Sequence, residues 1–140
     1  MVPVKFDDMP PVARDFLLYL EVVRGESKVT SEDYYFDLRT FFRFMKQYKR
    51  QANKDLPLEE ISITDIDIDF IRSITLSDIY EFLFYLQEVR KNNARSRSRR
   101  VSCLRSFFKY LTGKKNLLDH NPILELDSPS LPKTLPKYLT

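Results

Sequence analysis

The sequence predicts an all-α domain, and three observations support this prediction. Two glycines among 140 residues are too few for the tight turns of a β-rich fold. Apolar residues recur every three to four positions along several long segments, which is typical of amphipathic helices. The hydrophobic share of 43% is enough for a packed core, and the length fits one domain.

Two helices are predicted in the first third of the chain. The first covers about residues 10–24 and ends at Gly25. The second begins near Thr30, a suitable N-cap, with Asp33 three residues later as in a capping box. Its apolar stripe consists of Tyr34, Leu38, Phe41, Met45 and Tyr48. A basic stripe follows the same spacing and consists of Arg39, Arg43, Lys46 and Arg50.

Further helices are predicted in the remainder of the chain. A short one covers about residues 67–74, and a longer one begins at Thr75 with Asp78 three residues later. The core face of the longer helix consists of Ile79, Phe82, Leu83, Leu86 and Val89. The last main helix covers about residues 96–112, with Gly113 placed as its C-cap. Its core stripe consists of Val101, Leu104, Phe108 and Leu111, flanked by Phe107.

Charge is sorted along the chain. Residues 89–118 contain ten Lys or Arg and no Asp or Glu, whereas the other 110 residues carry a net −7. Residues 55–88 contain nine acids and one base, Arg72, so this acidic stretch is expected to face away from any polyanion. A concentrated basic segment indicates a partner with dense negative charge, and nucleic acid is the first candidate.

Four arginines crowd the start of the last helix, where cations oppose the helix dipole. They are Arg95, Arg97, Arg99 and Arg100. This arrangement is destabilising unless something anionic offsets it. Ser96 lies among them, and its hydroxyl, with the backbone N–H groups of a helix start, is suited to phosphate oxygens. The cluster therefore favours contact with nucleic acid over a solvated surface.

No motif for catalysis, metal binding or a cofactor is found. The run Asp65-x-Asp67-x-Asp69 resembles the start of a calcium loop, but its sixth and twelfth positions hold Phe and Leu instead of Gly and Glu. His120 is the only histidine, so neither a His-paired nucleophile nor a multi-His metal site is possible. A single cysteine excludes an internal disulfide and fits a reducing cytosol, so a cytoplasmic location is expected. Because Cys103 lies in an apolar pattern, its thiol is expected to be buried or half-buried. No segment approaches the roughly 20 apolar residues of a membrane span, so no membrane is expected as a partner.

Three stretches of the chain resemble the N-terminal core-binding domain of tyrosine recombinases of the Xer and phage-integrase type. Residues 16–45 resemble the first two helices of that family, and residues 94–111 resemble its most recognisable helix. Asn121-Pro122 and residues 135–140, Leu-Pro-Lys-Tyr-Leu-Thr, resemble its Asn-Pro turn and the linker to its catalytic domain. The three stretches occur in the order of the family, and the likeness extends over nearly the whole chain, from Phe16 to Thr140.

The resemblance implies a compact four- to five-helix SAM-like bundle that forms half of a clamp around duplex DNA. The second and last long helices would lie over the major groove. The DNA contacts carried over by position are Thr30, Arg39, Arg43, Arg95, Ser96, Arg99 and Arg105. The basic patterns add Lys46, Arg97 and Arg100. Because Arg105 and Arg99 lie on different faces of their helix, Arg105 contacts either DNA or a neighbouring protomer.

The resemblance also implies a division of the chain. Residues 1–128 form the helical DNA-binding domain, and residues 129–140 form an extended linker toward a catalytic domain absent from the sequence. The catalytic residues of the family belong to that absent domain, so the chain is expected not to be an enzyme on its own. The expected partners are double-stranded DNA and other recombinase protomers on the DNA. No cofactor is expected.

Three other functions were weighed against the sequence. A helical protein-interaction module would use the basic surface for an acidic partner. A helix-turn-helix repressor would need a tight glycine-containing turn between short helices, which is not seen. An independent enzyme is the least supported because no catalytic constellation is found.

Overall fold

The computed structural model describes residues 5–50, 55–91 and 93–124. Within these ranges the chain is helical and contains no strand, so the predicted all-α class is confirmed. The five α-helices are α1 (Pro11–Leu18), α2 (Lys28–Met45), α3 (Ile68–Arg72), α4 (Leu76–Glu88) and α5 (Ala94–Lys109). A 3₁₀ turn covers Leu58–Glu60. The predicted linker at 129–140 lies outside the described residues.

Three of the helices continue into a wider π-helical turn. These turns are Tyr19–Val23 after α1, Lys46–Arg50 after α2 and Tyr110–Lys114 after α5. The first helical segment therefore matches the predicted range of about 10–24. Gly25 follows it with φ of 68°, a conformation that favours glycine, so the predicted stop is confirmed.

Two predicted helix ends are wrong. α2 is capped by Ser27, whose hydroxyl oxygen accepts a hydrogen bond from the Thr30 backbone N–H at 3.1 Å, so Thr30 lies in the first turn. Both residues are good N-caps, and local pattern did not distinguish them. Gly113 lies inside the last π-helical turn, and the left-handed residue after that turn is Asn116 with φ of 54°. Asn tolerates this conformation, so glycine was not needed there.

The caps of α3 and α4 agree with the sequence. Asp67 accepts a hydrogen bond from the Phe70 backbone N–H at 2.9 Å and so caps α3. Thr75 and Asp78 form a reciprocal capping box at the start of α4. These two caps set the direction in which α3 and α4 leave the preceding loops.

The core is built around phenylalanine rings from four helices. Six rings have less than 2% of their surface exposed: Phe16, Phe41, Phe42, Phe82, Phe107 and Phe108. Phe41 of α2 meets Phe82 of α4 at 5.2 Å, and Phe42 meets Phe107 of α5 at 5.7 Å, both edge to face. Such pairs contribute about 0.5–1.5 kcal/mol each beyond their buried area. This cluster holds α2 and α5 together, and these are the two helices with the predicted contacts.

Two residues predicted at the ends of core stripes are exposed instead. Tyr48 is 41% exposed and Val89 is 66% exposed. Tyr48 lies in the π-helical turn after α2, whose wider pitch changes the direction of its side chains. Val89 is the C-cap of α4 and is beyond the packed part of that helix.

Two carboxylates of the acidic stretch pair with lysines in the turn that follows α2. The Lys46 ammonium lies 2.7 Å from the Asp65 carboxylate and donates to the Ser62 carbonyl at 2.7 Å. The Lys49 ammonium lies 2.7 Å from the Asp78 carboxylate. The acids therefore neutralise the C-terminal end of α2 within the protein.

These ion pairs predict a loss of stability in acid. The hydrogen bond from Lys46 lowers the pKa of Asp65. Burial alone would raise the pKa of Asp78, but the contacts with Lys49 and Thr75 outweigh burial and lower this pKa below its usual value. A lowered pKa contributes stability above the unfolded value of about 3.9, and this stability is lost as the pH falls through the folded value. The urea midpoint should therefore fall as the pH is lowered from about 5 to about 3.

Asp78→Asn should reduce this pH dependence and lower stability at neutral pH by about 1–3 kcal/mol. Asp69→Asn is the matched control because the Asp69 side chain is 81% exposed and, among the described residues, forms an ion pair with Arg72 of its own helix alone. The explanation fails if both variants show the same pH profile as the parent protein.

Candidate nucleic-acid interface

One side of α5 is polar along the whole helix, exposed at Arg95, Arg99, Ser102 and Lys109 and half-buried at Arg105 and Ser106. Its members recur every three to four residues and span an arc of about 120° on one side of the helix. Arg99 and Arg105, which the sequence assigned to different faces, lie at the two edges of this arc. We call this surface the α5 basic face, and its members are Arg95, Arg99, Ser102, Arg105, Ser106 and Lys109. The opposite side packs into the core through Val101, Leu104, Phe107 and Phe108. Because α5 contains no acidic residue, the exposed charge of this face is exclusively positive.

Two of the arginines at the start of α5 pair with a buried carboxylate on α2. The Asp37 side chain is 1% exposed, and its Oδ1 lies 2.7 Å from Arg99 Nη2 and 3.1 Å from Arg100 Nη1. Asp33, one turn earlier on α2, lies 3.9 Å from Arg99. The crowded arginines thus have an internal anion. Because Asp37 offsets the charge of Arg99 and Arg100 at the helix start, these two arginines do not by themselves require an external polyanion.

Arg99 and Arg100 differ in how much of the side chain is exposed and so able to contact a ligand. The Arg99 side chain is 45% exposed, whereas that of Arg100 is 11% exposed. Burial raises the pKa of Asp37, with Arg100 and Arg99 opposing the shift, and burial lowers the pKa of Arg100. Arg100 is a structural partner of Asp37, while Arg99 joins the pair and also reaches the surface.

The first turn of α5 is closed by a side-chain cap. Asn93 Oδ1 accepts a hydrogen bond from the Ser96 backbone N–H at 2.8 Å. The amide of Ser96 is therefore not available to a phosphate. Ser96 and Arg97 are both half-buried, while Arg95 is exposed. Among these three residues, Arg95 is the best placed for an external ligand.

Arg39 on α2 is held by an aromatic platform. Its guanidinium lies 5.2 Å from the centroid of the Tyr35 ring and 4.9 Å from that of Phe36. The Arg39 Nη1 donates to the Tyr35 hydroxyl oxygen at 3.3 Å, and the Tyr35 hydroxyl donates to the Asp8 carboxylate at 2.7 Å. Stacking of this kind orients the planar cation before any ligand arrives.

The other predicted residues of α2 have internal partners. Arg43 Nε donates to the Ile61 carbonyl at 3.2 Å, and burial lowers the pKa of Arg43. Lys46 is buried and paired with Asp65. Thr30 lies at the opposite end of α2 and its Oγ1 accepts from the Ser27 hydroxyl at 3.1 Å. The structure brings Arg95, Arg99 and Arg105 together on one helix, whereas Lys46 is paired with Asp65 beyond the far end of α2. Thr30 lies one turn before Asp33, which faces Arg99.

Asp37 was missing from the predicted site, although the sequence carries a signal for it. Tyr34, Asp37, Phe41 and Phe44 follow a spacing of 3, 4 and 3, so this carboxylate lies within an apolar stripe. A buried carboxylate requires a cation, and the arginine-rich helix supplies two. Lys109 and Ser102 were also absent from the predicted contact set, although their spacing places them beside Arg105.

The described residues contain neither a cluster of possible metal ligands nor a helix that could span a membrane. There, no group of three or more His, Cys, Asp or Glu side chains is placed to hold a metal ion. In the same residues no helix is long and apolar enough to cross a bilayer. Cys103 is completely buried, as expected, and burial raises the pKa of its thiol well above the usual value.

The chain is similar to known recombinases over most of its length. The family model described as phage integrase, N-terminal SAM-like domain, matches residues 53–115. The tyrosine recombinase XerC of Caldanaerobacter subterraneus subsp. tengcongensis is 41% identical over 131 residues, covering 94% of this chain and 37% of the relative. The tyrosine recombinase XerD of Listeria monocytogenes is 33% identical over 133 residues, covering 94% of this chain and 38% of the relative.

A further XerC, from Pelotomaculum thermopropionicum, is 34% identical over 127 residues, with 89% of this chain and 36% of the relative covered. The chain therefore spans less than two-fifths of the length of these relatives. No solved structure matches the chain significantly.

Proposed function

The chain belongs to the phage integrase N-terminal SAM-like domain family, and from this premise we propose that it is the duplex-DNA-binding module of a site-specific tyrosine recombinase. The α5 basic face is the observation that carries the proposal. In the described part of the chain, no carboxylate pairs with Arg95, Arg105 or Lys109. Three cations along one exposed helix side, with the Ser102 hydroxyl between them, suit a row of phosphate oxygens.

The proposed contacts are narrower than the predicted set. The proposed DNA contacts are Arg95, Arg99, Arg105 and Lys109 of α5 and Arg39 of α2. Arg100 and Lys46 support the surface through Asp37 and Asp65, because their side chains are only 11% and 9% exposed. The predicted contacts through Thr30, Arg43, Ser96 and Arg97 remain predictions.

The activity of the whole protein follows from its longer relatives. We propose that a catalytic domain outside this sequence cuts and rejoins DNA, and that this module holds the duplex for it. The chain on its own would then bind DNA without cleaving it. Neighbouring recombinase protomers on the same DNA remain proposed partners, and the cytoplasmic location remains a prediction.

A salt titration tests the proposed function. Fluorescence anisotropy with a labelled duplex should show binding that weakens steeply between about 50 and 200 mM salt, since each neutralised phosphate contributes about −0.9 to the slope of log K against log salt. Five phosphate contacts predict a slope of about −4.5. Poly-glutamate at equal charge concentration is the control for a general acidic partner.

Competition by poly-glutamate as strong as that by unlabelled duplex would favour a protein-interaction module over a DNA-binding one. Absence of duplex binding at about 50 mM salt would contradict the proposal outright.

A further inference from the structure

A basic cleft lies between the end of α1 and the end of α5. Its volume is about 580 Å³, and it is open on one side. Three cations line it, Arg24, Lys109 and Lys114, together with the Ser106 hydroxyl. No carboxylate lines it. The walls are aromatic and consist of Phe16, Tyr19 and Tyr110.

The cations of the cleft are partly ordered before any ligand binds. The Lys114 ammonium lies 5.3 Å from the centroid of the Tyr19 ring, and the Tyr19 and Tyr110 rings are 5.1 Å apart. Arg24 pairs with Glu26 at 3.2 Å but keeps 52% of its side chain exposed. In the described residues, neither Lys109 nor Lys114 has a carboxylate partner.

Favourable interaction with the C-terminal ends of the helix dipoles does not account for all of the positive charge of the cleft. The cleft lies at the C-terminal ends of two helical segments, each equivalent to about −0.5 elementary charge. Those two ends and Glu26 together offset about two of the three positive charges. About one net positive charge remains. Asp15, whose charge adds to burial in raising the pKa of Tyr110, is a nearby acid, and the exposed Lys115, next to Lys114 in the sequence, is a base that offsets it. The cleft therefore still attracts an anion.

The cleft adjoins the α5 basic face, and this position indicates which anion binds in the cleft. Lys109 belongs to both surfaces, and Ser106 lies one turn before it. A helix of 16 residues such as α5 is about 24 Å long, whereas the major groove of B-DNA is about 12 Å wide. A helix crossing that groove therefore has each end over one of the two phosphate backbones.

We propose that the cleft formed by Arg24, Lys109, Lys114 and Ser106 binds a DNA backbone phosphate on the rim of the major groove opposite to the rim contacted by the Arg95 end of α5. This inference rests on the proposed function, because it extends the same DNA contact to a second strand. The two ends of α5 would then fix the angle at which the helix crosses the groove.

The salt dependence of duplex binding tests the cleft. Lys109→Gln/Lys114→Gln should reduce the magnitude of the slope of log K against log salt by about 0.9, because one phosphate contact is lost, and raise the Kd by about eightfold at 0.1 M salt. Arg72→Gln is the control because Arg72 does not line the cleft and has internal partners: it pairs with Asp69 and donates to the Leu117 carbonyl at 2.9 Å. The control should keep the parent slope. Circular dichroism checks that all variants remain folded.

Backbone amide NMR separates a DNA phosphate from a free anion. The chain has only two glycines, and Gly113 lines the cleft, so its resonance is easily followed. It should move on addition of duplex and stay in place with inorganic phosphate at the same ionic strength. A response to inorganic phosphate with an unchanged slope in the double variant would overturn the inference.

The two proposals can fail separately. Duplex binding by the parent protein with an identical slope in Lys109→Gln/Lys114→Gln would refute the cleft alone. A parent protein that does not bind duplex at all would refute the proposed function and the cleft with it.

Discussion

Asp37→Ala is expected to lower the free energy of unfolding by about 3–5 kcal/mol, which is the usual effect of removing one partner from a buried ion pair. The Asp37 side chain is 1% exposed and contacts two arginines on another helix. Its removal leaves Arg100, with a side chain only 11% exposed, without a counter-charge. Urea denaturation followed by circular dichroism measures the loss.

Asp33→Ala is the matched control for this prediction. Asp33 lies one turn earlier on the same helix, but it is 3.9 Å from Arg99 and its side chain is 47% exposed. An exposed pair of this kind contributes at most about 1 kcal/mol. Equal losses for the two variants would contradict the structural role assigned to Asp37.

A double substitution separates the ion pair from simple packing. Asp37→Leu/Arg100→Met removes both charges and keeps apolar volume between α2 and α5. Because replacing a whole buried pair by apolar residues is often neutral or stabilising, this variant should be more stable than Asp37→Ala. If it is equally unstable, loss of shape rather than an unpaired charge explains the effect.

Arg95→Gln/Arg105→Gln is expected to weaken duplex binding by about 60-fold at 0.1 M salt, since each lost phosphate contact is worth about eightfold there. The slope of log K against log salt should fall in magnitude by about 1.8. Neither arginine belongs to the Asp37 ion pairs, so the fold should be unaffected. Anisotropy titrations at several salt concentrations provide the measurement.

The comparison variant for this prediction is again Arg72→Gln, which removes one positive charge from the acidic side of the protein. It should change the Kd by less than about twofold, because long-range interactions between exposed charges are screened beyond about 10 Å. Equal weakening by both variants would mean that net charge, not the α5 basic face, determines affinity.

Helix content and core were predictable because both depend on local periodicity. Phe41 and Phe107 repeat at core spacing in the sequence, and both are fully buried. The exact helix starts were less predictable. Ser27 and Thr30 are both suitable caps, and only the path of the preceding turn, with Gly25 at positive φ, decides between them.

The electrostatic arrangement was the least predictable part of the site. Arg99 and Asp37 are 62 positions apart, and their contact depends on how α5 crosses α2 in the folded protein. Lys46 and Asp65 pair in the same way across a loop. Charge counts along the sequence correctly located the basic helix. They did not separate cations that have internal partners from those, such as Arg95 and Lys109, that face solvent.

The central claim is that duplex DNA lies along the α5 basic face. A titration of isotopically labelled protein with duplex at low salt, followed by backbone amide NMR, tests it most directly. The account predicts that the largest shift changes fall at Arg95, Ser102 and Lys109, with small changes at Asp69 and Glu81 on the acidic side. Shift changes centred on α3 and α4, with α5 unaffected, would contradict it.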